Sequence, residues 1–194
     1  IVHNFTTRNL AWLADAAQRE EILSLAGAFA YSAHSVADIQ RWGKTLAKHK
    51  VGARRANLHI VMGTMNKTKF TDMLRAADSY RLRATLLGYK ATGHGVNYSP
   101  VDYSWWLDAI KELHEQHVYP NISIDTTLAE QSKQMLEAAG VSNKLYFTQE
   151  GRFSAYIDAV GMTFAPSSYS GAGVRFDRET FDADWLKAEF AKFP

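Results

Sequence analysis

AFAYSAHS, residues 28–35, is a short apolar run that ends in a cluster of polar side chains. A helix-start signal follows at once, because Ser35 and Asp38 have the spacing of a capping box. The same order, an apolar strand with a polar end and then a helical pattern, recurs along the chain. The other four stretches are VHNFTTRN at 2–9, ANLHIVMG at 56–63, ATLLGYK at 84–90 and NISIDTT at 121–127.

Alternating strands and helices, here at a spacing of about 25–35 residues, are typical of βαβ units, which build a parallel sheet. Five or six such units are too few for the eight-stranded barrel. We therefore predict an α/β fold, a partial parallel (β/α) barrel that is TIM-like with five to six strands; an open doubly wound sheet fits the same count. The prediction is one domain, 1–194, that ends in a short hairpin (145–148 and 154–160) and a helix (180–193).

Small polar residues and glycines mark the predicted helix ends. Asn9 is the predicted N-cap of the first helix, which runs to about Leu25, and Gly27 is its predicted end. The sequence TLAE at 127–130 is a second capping box, so we expect the fifth strand to end there and a helix to follow as far as Gly140.

The composition excludes several kinds of site. The 194 residues include no cysteine, which excludes disulfides, thiolate zinc sites and thiolate-bound iron–sulfur clusters within this chain. No run reaches the roughly 18 apolar residues of a membrane span, so we expect no membrane partner and a cytoplasmic location. Residues 1–100 carry 14 Lys and Arg against 6 Asp and Glu, but no basic–aromatic strip accompanies this excess, and a nucleic-acid partner is disfavoured.

The candidate site lies where the predicted strands end, because parallel α/β folds bind ligands at the carboxyl ends of their strands. A Ser or Thr in such a place is most often only a helix cap. Asp125 is a stronger candidate, since a carboxylate at the end of a buried strand needs a partner. The strand-end residues are Thr6, Thr7, Ser32, His34, Met62, Tyr89, Lys90, Asp125 and Thr126, with His59 inside its strand.

Three chemistries can be set against these residues. A metal hydrolase would use His34, His59 and Asp125 as ligands, although no local motif pairs two imidazoles. A serine nucleophile lacks the G-x-S-x-G elbow, and a Schiff base at Lys90 has no further support. The glycine-rich loop TGHG at 92–95 either presents backbone N–H groups to an anion or forms a simple turn.

The series of strand ends FTTRN, AYSAHS, LHIVMG, LLGYKATGHG and ISIDTT resembles successive strands of the radical S-adenosylmethionine superfamily. The tail RFSAYIDAVGMTFAPSS resembles the C-terminal segment of its small members. The resemblance covers nearly the whole chain. It implies a partial (β/α)6 barrel of an enzyme that binds S-adenosylmethionine at the C-terminal ends of its strands.

The resemblance also implies roles for individual residues. Thr6 and Thr7 would meet the amino-acid end of the cofactor, and Leu87 and Tyr89 would lie near its adenosine. The other cofactor contacts that it implies are Ser32, His34, His59 and Met62, and the substrate contacts are Lys90, His94, Asp125, Tyr156 and Asp158.

The chain departs from that family in lacking the first strand and the cluster loop, whose three cysteines follow a C-x-x-x-C-x-x-C pattern. A [4Fe–4S] cluster is therefore expected only if a segment before Ile1 supplies the cysteines. Such a segment, or a partner chain, is also expected to cover the edge of the sheet. The alternative functions are a cluster-free module of the same fold that binds a small molecule or a partner, and the metal hydrolase.

Overall fold

The structure, a computed structural model, describes residues 3–52, 55–152, 155–158, 160–167, 170–171, 173–177, 179 and 181–193, with the backbone alone at 3, 4, 93 and 94. It divides into two compact units. Unit one comprises Ile1–Tyr89 and Pro100–Leu128, and unit two comprises Lys90–Ser99 and Ala129–Pro194. That the chain is a single domain stays a prediction.

Unit one is built on a five-stranded parallel sheet. The strands pair in chain order: β1 (His3–Thr7), β2 (Ala26–Ser32), β3 (Ala56–Val61), β4 (Arg83–Leu87) and β5 (Asn121–Ile124). The helices between them are α1 (Ala11–Ala14), α2 (Ala16–Leu25), α3 (Val36–Lys48), α4 (Lys67–Ser79) and α5 (Trp106–Glu115). The predicted α/β fold with a parallel sheet is confirmed.

The strand order places the helices of this sheet on one face. Parallel crossovers are almost always right-handed, so a sheet that is wound in one direction receives its helices on the same side. Burial in β3 follows this rule, since Leu58 and Ile60 are fully buried whereas Asn57 and His59 are half-buried. We term the half-buried side the open face. Sequential winding excludes the doubly wound alternative, and the curvature of a TIM-like barrel stays a prediction.

Aromatic rings fill the core between the first strands and their helices. Trp42 of α3 is fully buried, with its ring centroid 5.5 Å from that of Phe29 and 5.1 Å from that of Tyr31. On α1, Trp12 meets Phe29 edge-on at 5.2 Å. Phe29 and Tyr31, both in the AFAYSAHS stretch, therefore anchor two helices to β2.

Three predicted features of the first helix are wrong. The predicted single helix is broken at Asp15, whose backbone is extended and whose side chain accepts the N–H of Gln18 as the N-cap of α2. Gly27 does not end a helix but lies inside β2, which begins directly after Leu25. Asp15 caps α2 because it is as good a capping residue as Asn9. The predicted cap at Asn9 is also wrong, since the N-cap position of α1 is Leu10, although the Asn9 side chain accepts the N–H of Ala11.

Unit two contains a small antiparallel sheet of three strands, β6 (Tyr156–Asp158), β7 (Thr163–Ala165) and β8 (Val174–Arg175). Helices α6 (Thr126–Gln131) and α7 (Lys133–Ala138) follow β5, a 3-10 helix spans Gly93–Asn97, and α8 (Ala183–Phe190) lies near the end of the chain. The last of these confirms the central part of the predicted terminal helix.

The predicted strand at 145–148 is not formed. Burial alternates there as it does in a strand, with Tyr146 buried and Leu145 and Phe147 exposed. However, β6 pairs with β7 instead, so the hairpin is displaced toward the C-terminus. Residues 154, 159 and 180 of these predicted elements lie outside the described residues.

Candidate functional site

A row of polar side chains crosses the open face of the sheet. The strand register sets Ser32 beside His59, His59 beside Thr85, and Thr85 beside Ser123. The amide of Asn57 donates to Oγ1 of Thr85 at 2.6 Å, and the hydroxyl oxygens of Thr85 and Ser123 are 2.9 Å apart. Parallel sheets usually carry apolar side chains on both faces. These five residues, which we term the polar row, therefore mark the open face as a candidate binding surface.

His59 is the titratable group of the polar row. Its Nδ1 lies 3.4 Å from Oγ1 of Thr6 on β1. Burial lowers the pKa of His59 below its ordinary value of 6.5, and the negative charge of Asp125 partly opposes this effect. A neutral imidazole has one nitrogen that donates and one that accepts. His59 can therefore hydrogen bond to a ligand group that donates or to one that accepts.

A cavity of about 250 Å³ lies beside His59 within unit one. Thr6, Asn57 and His59 supply its polar lining, and Ala28 and Ala30 leave room because their side chains are small. Small-molecule sites usually have volumes of about 300–1,000 Å³. The cavity is therefore large enough for one end of a cofactor-sized molecule but not for all of it.

Asp125 joins two parts of the backbone at the end of the sheet. Its Oδ1 accepts the N–H of Gly88, which follows β4, at 2.9 Å and the N–H of Leu128 at 2.7 Å. Asp125 is therefore the N-cap of α6. The predicted fifth strand, 121–127, ends early at Ile124, and the predicted cap at Thr127 is wrong because the preceding carboxylate takes that place. Asp125 is half-buried, and both of these hydrogen bonds come from backbone groups.

Tyr103, which the sequence analysis did not single out, lies over the end of β3. A side chain on Gly63, the glycine that follows this strand with φ of +78°, would lie 3.3 Å from the Tyr103 ring. Burial raises the pKa of the Tyr103 phenol, and the charges of Asp102 and Asp125 raise it further. The charge of Asp125 thus acts on both a neutral imidazole and a protonated phenol. No motif in the sequence marks Tyr103; only its position in the loop before α5 points to it.

A second carboxylate, which is buried, lies at the end of β2. Asp38 is only 7% exposed, and its Oδ2 accepts the backbone N–H of His34 at 3.0 Å and the hydroxyl of Ser35 at 2.9 Å. The phenol of Tyr31 lies 3.4 Å from Oδ1, and the guanidinium of Arg8 lies 3.9 Å from it. The predicted capping box is confirmed, since Ser35 accepts the N–H of Asp38. Sequence analysis missed the wider cluster, in which Arg8 comes from a distant part of the chain.

We expect Asp38→Asn to lower the free energy of unfolding by about 1–2 kcal/mol at pH 7, because one of the hydrogen bonds to the carboxylate is lost. Burial would raise the pKa of Asp38, but hydrogen bonds from His34 and Ser35 and the charge of Arg8 outweigh it and hold the pKa below 3.8. A lowered pKa gives stability that is complete above the unfolded value and is lost as pH falls through the folded value.

The difference in the free energy of unfolding between wild type and Asp38→Asn should therefore become smaller as the pH falls below about 3.8. Urea unfolding of both proteins at pH 7 and pH 3 measures it. Asp72→Asn, at an exposed position of α4, is the matched control and should change the free energy of unfolding by less than about 0.5 kcal/mol at pH 7. A difference that is constant with pH would contradict the prediction.

The structure brings some of the predicted residues of unit one together and separates others. Ser32 and His59 belong to the polar row, and Leu87 lies half-buried on the same face. Met62 is fully buried and continues the buried side of β3, so it offers no surface to a ligand. The Thr7 hydroxyl bonds to the backbone of Asn9 instead. His34 is exposed, and Tyr89 and Thr126 are half-buried.

The remaining predicted residues belong to unit two. Lys90 forms an ion pair with Glu150 at 3.6 Å. Asp158 accepts the N–H groups of Val160 and Gly161, both at 2.9 Å, so it stabilises the turn after β6. Tyr156 is exposed on that strand, and the side chain of His94 lies outside the described residues. A substrate role for these four residues stays a prediction.

His34, His59 and Asp125 do not gather into a metal site. Throughout the described part of the chain, no three His, Asp or Glu side chains are grouped so that they could hold a metal ion. The neighbours of His59 are instead hydroxyl and amide groups. The arrangement is suited to hydrogen bonding with an organic ligand.

Comparison of the chain with models of protein families, with curated proteins and with solved structures finds no match. Fold and site therefore define a class: an α/β protein whose five-stranded parallel sheet is wound in one direction and carries polar groups on its open face. Among the described residues, no helix combines the length and the apolar composition of a membrane-spanning segment.

Proposed function

We propose that unit one binds a small polar organic molecule on the open face of its sheet, and that this molecule is S-adenosylmethionine. The observation that carries the proposal is the polar row, with His59 at its centre, in a sheet whose strand ends are the usual place for a ligand. The resemblance of the strand ends to the radical S-adenosylmethionine superfamily supplies the identity of the ligand.

The groups of this face match the chemistry of that ligand. The hydroxyls of Thr6 and Ser32 and the imidazole of His59 would hydrogen bond to the hydroxyl, amino or carboxylate groups of its ribose and amino-acid ends. The negative charge of Asp125, which acts on His59, favours a cationic ligand at this end of the sheet. S-adenosylmethionine supplies a carbon activated by a sulfonium. The residues of this chain would bind and orient it.

A [4Fe–4S] cluster does not fit the residues of this chain. Thiolates hold such clusters, and none of the 194 residues is a cysteine. No radical step is therefore assigned to these residues. The chain would serve as the ligand-binding part of a radical S-adenosylmethionine-type enzyme only with cysteines from outside this sequence. The lack of cysteine favours a second candidate function, a cluster-free binding module of the same fold.

Titration calorimetry with S-adenosylmethionine tests the proposal. We expect saturable binding, and we expect His59→Asn to weaken it at least tenfold, which corresponds to about 1.4 kcal/mol and is typical of one good hydrogen bond. His114→Asn is the matched control, since His114 is exposed on α5 and is not part of the polar row. It should bind like wild type.

Two outcomes would overturn the proposal. One is no binding heat with millimolar S-adenosylmethionine, and the other is equal binding by wild type and His59→Asn. The two candidate functions are separated by the reading frame upstream of Ile1. A C-x-x-x-C-x-x-C sequence there supports the radical enzyme, and its absence supports the cluster-free module.

A further inference from the structure

A second cavity, of about 310 Å³, lies entirely within unit two and takes no part in the proposed function. One wall comes from α7, and the other comes from the segment 143–152 that follows it. The volume is within the range of small-molecule sites, at its lower end. The cavity therefore suits a single compact ligand.

The charged groups that line this cavity favour an anion. Lys133 and Arg152 face it with two positive charges, and Glu137 faces it with one negative charge. Lys133 lies at the first position of α7, and it makes no ion pair within 4 Å among the residues that the structure describes. A guanidinium such as that of Arg152 can donate hydrogen bonds to two oxygens of one phosphate. The net charge of these three groups is positive.

An aromatic ring lies next to Arg152. The guanidinium carbon of Arg152 is 5.8 Å from the centre of the Phe147 ring, a cation–π distance, and Phe147 is 48% exposed. A stack of this kind holds the guanidinium near the ring. It also leaves ring surface on which a flat base can lie, and base–aromatic stacking contributes about 1–3 kcal/mol per base.

Side-chain amides complete the lining. Asn143 and Gln149 both face the cavity, and each has a donor and an acceptor group. Amides of this kind hydrogen bond well to the edge of a purine base. Inorganic phosphate alone would use the cations but not the ring or the amides.

We propose that this cavity binds a nucleoside monophosphate, with the base on Phe147 and the phosphate between Lys133 and Arg152. The ring, the amides and the two cations each match one part of such a ligand. The proposal is independent of the binding of S-adenosylmethionine in unit one.

Calorimetric titration of the full chain with AMP, adenosine and inorganic phosphate tests the proposal. We expect AMP to bind at least tenfold more tightly than adenosine or phosphate, because only AMP engages both the ring and the cations. Arg152→Gln and Phe147→Ala should each weaken AMP binding at least tenfold, with circular dichroism showing that the fold is kept. Glu137→Gln should tighten it, since a repulsive charge is removed.

Lys144→Gln is the matched control, because Lys144 is exposed and follows the lining residue Asn143 in sequence but does not line the cavity. It should bind AMP like wild type, as should His59→Asn in unit one. Failure of AMP to bind more tightly than phosphate would overturn the proposal, and so would equal losses in Lys144→Gln and Arg152→Gln. Because S-adenosylmethionine also contains adenosine, its binding should respond to His59→Asn and not to Arg152→Gln.

Discussion

Trp42→Ala should lower the free energy of unfolding by about 3–5 kcal/mol, the cost that is typical of removing a large aromatic side chain from a packed core. Trp42 is fully buried, and its ring packs on Phe29 and Tyr31. Alanine would leave a cavity between α3 and β2 that these two strand residues cannot fill. An effect of this size is a large part of the total stability of an ordinary domain.

Urea unfolding followed by circular dichroism measures this effect. Leu25→Ala is the control, since Leu25 is 67% exposed at the end of α2, and a change within about 0.5 kcal/mol is expected there. A loss below about 1.5 kcal/mol for Trp42→Ala would contradict the packing that the structure gives this ring.

Trp42→Phe tests the contribution of the aromatic ring to stability apart from that of the indole N–H. The indole Nε1 of Trp42 is buried and has no hydrogen-bond partner among the described residues. Phenylalanine removes this unsatisfied donor, which costs about 1–3 kcal/mol when buried, but it also removes apolar volume. The two effects oppose each other, so we expect Trp42→Phe to cost much less than Trp42→Ala.

Local signals were sufficient to predict most of unit one. Ser35 and Asp38 form the predicted capping box because both partners lie within one helical turn. The apolar spacing of α3 and α4 was equally clear, and the parallel sheet follows from the alternation of strands and helices. These features depend on neighbours in sequence, which a single chain shows directly.

The open face is less evident from the sequence, although a signal for it exists. In the stretch ANLHIV, polar and apolar side chains alternate, with Asn57 and His59 at the polar positions. A strand that is buried on both faces would be apolar throughout. Of the five residues in the polar row, the sequence analysis singles out Ser32 and His59 and misses Asn57, Thr85 and Ser123. The register between strands determines which residues of the other strands lie beside His59. No local sequence pattern predicts that Thr85 and Ser123 continue the polar row.

Two of the helix starts that were wrong share one physical cause. Asp15 and Asp125 are short polar residues that cap a helix a few positions away from another residue with the same capability. Sequence alone offers both choices, and tertiary contacts select between them. For Asp125 the selecting contact is the N–H of Gly88, 37 residues earlier in the chain. A partner at that distance is set by the fold and not by the local sequence.

This double role predicts that Asp125→Ala will lower the free energy of unfolding by about 2–4 kcal/mol. Loss of the cap of α6 contributes about 0.5–2 kcal/mol, and the buried N–H of Gly88 that is left without its acceptor contributes about 1–3 kcal/mol. Asn66→Ala is the matched control, because Asn66 caps α4 through the N–H of Lys69 in the same way. It should cost the capping energy alone. Equal losses in the two variants, measured by urea unfolding, would contradict the bridge to Gly88.

Asp125→Asn tests the charge of this residue apart from its hydrogen bonds. The asparagine oxygen can still accept both backbone N–H groups, so the fold should be kept with a smaller loss than in the alanine variant. The negative charge of Asp125 raises the pKa values of both His59 and Tyr103. Removing it should therefore lower the pKa of His59 further below 6.5 and move the raised pKa of Tyr103 back toward 10.0. NMR titration of the His59 ring and absorbance titration of the tyrosines measure the two shifts. Unchanged pKa values would mean that Asp125 acts only on the backbone, and the open face would then lack the charge that favours a cationic ligand.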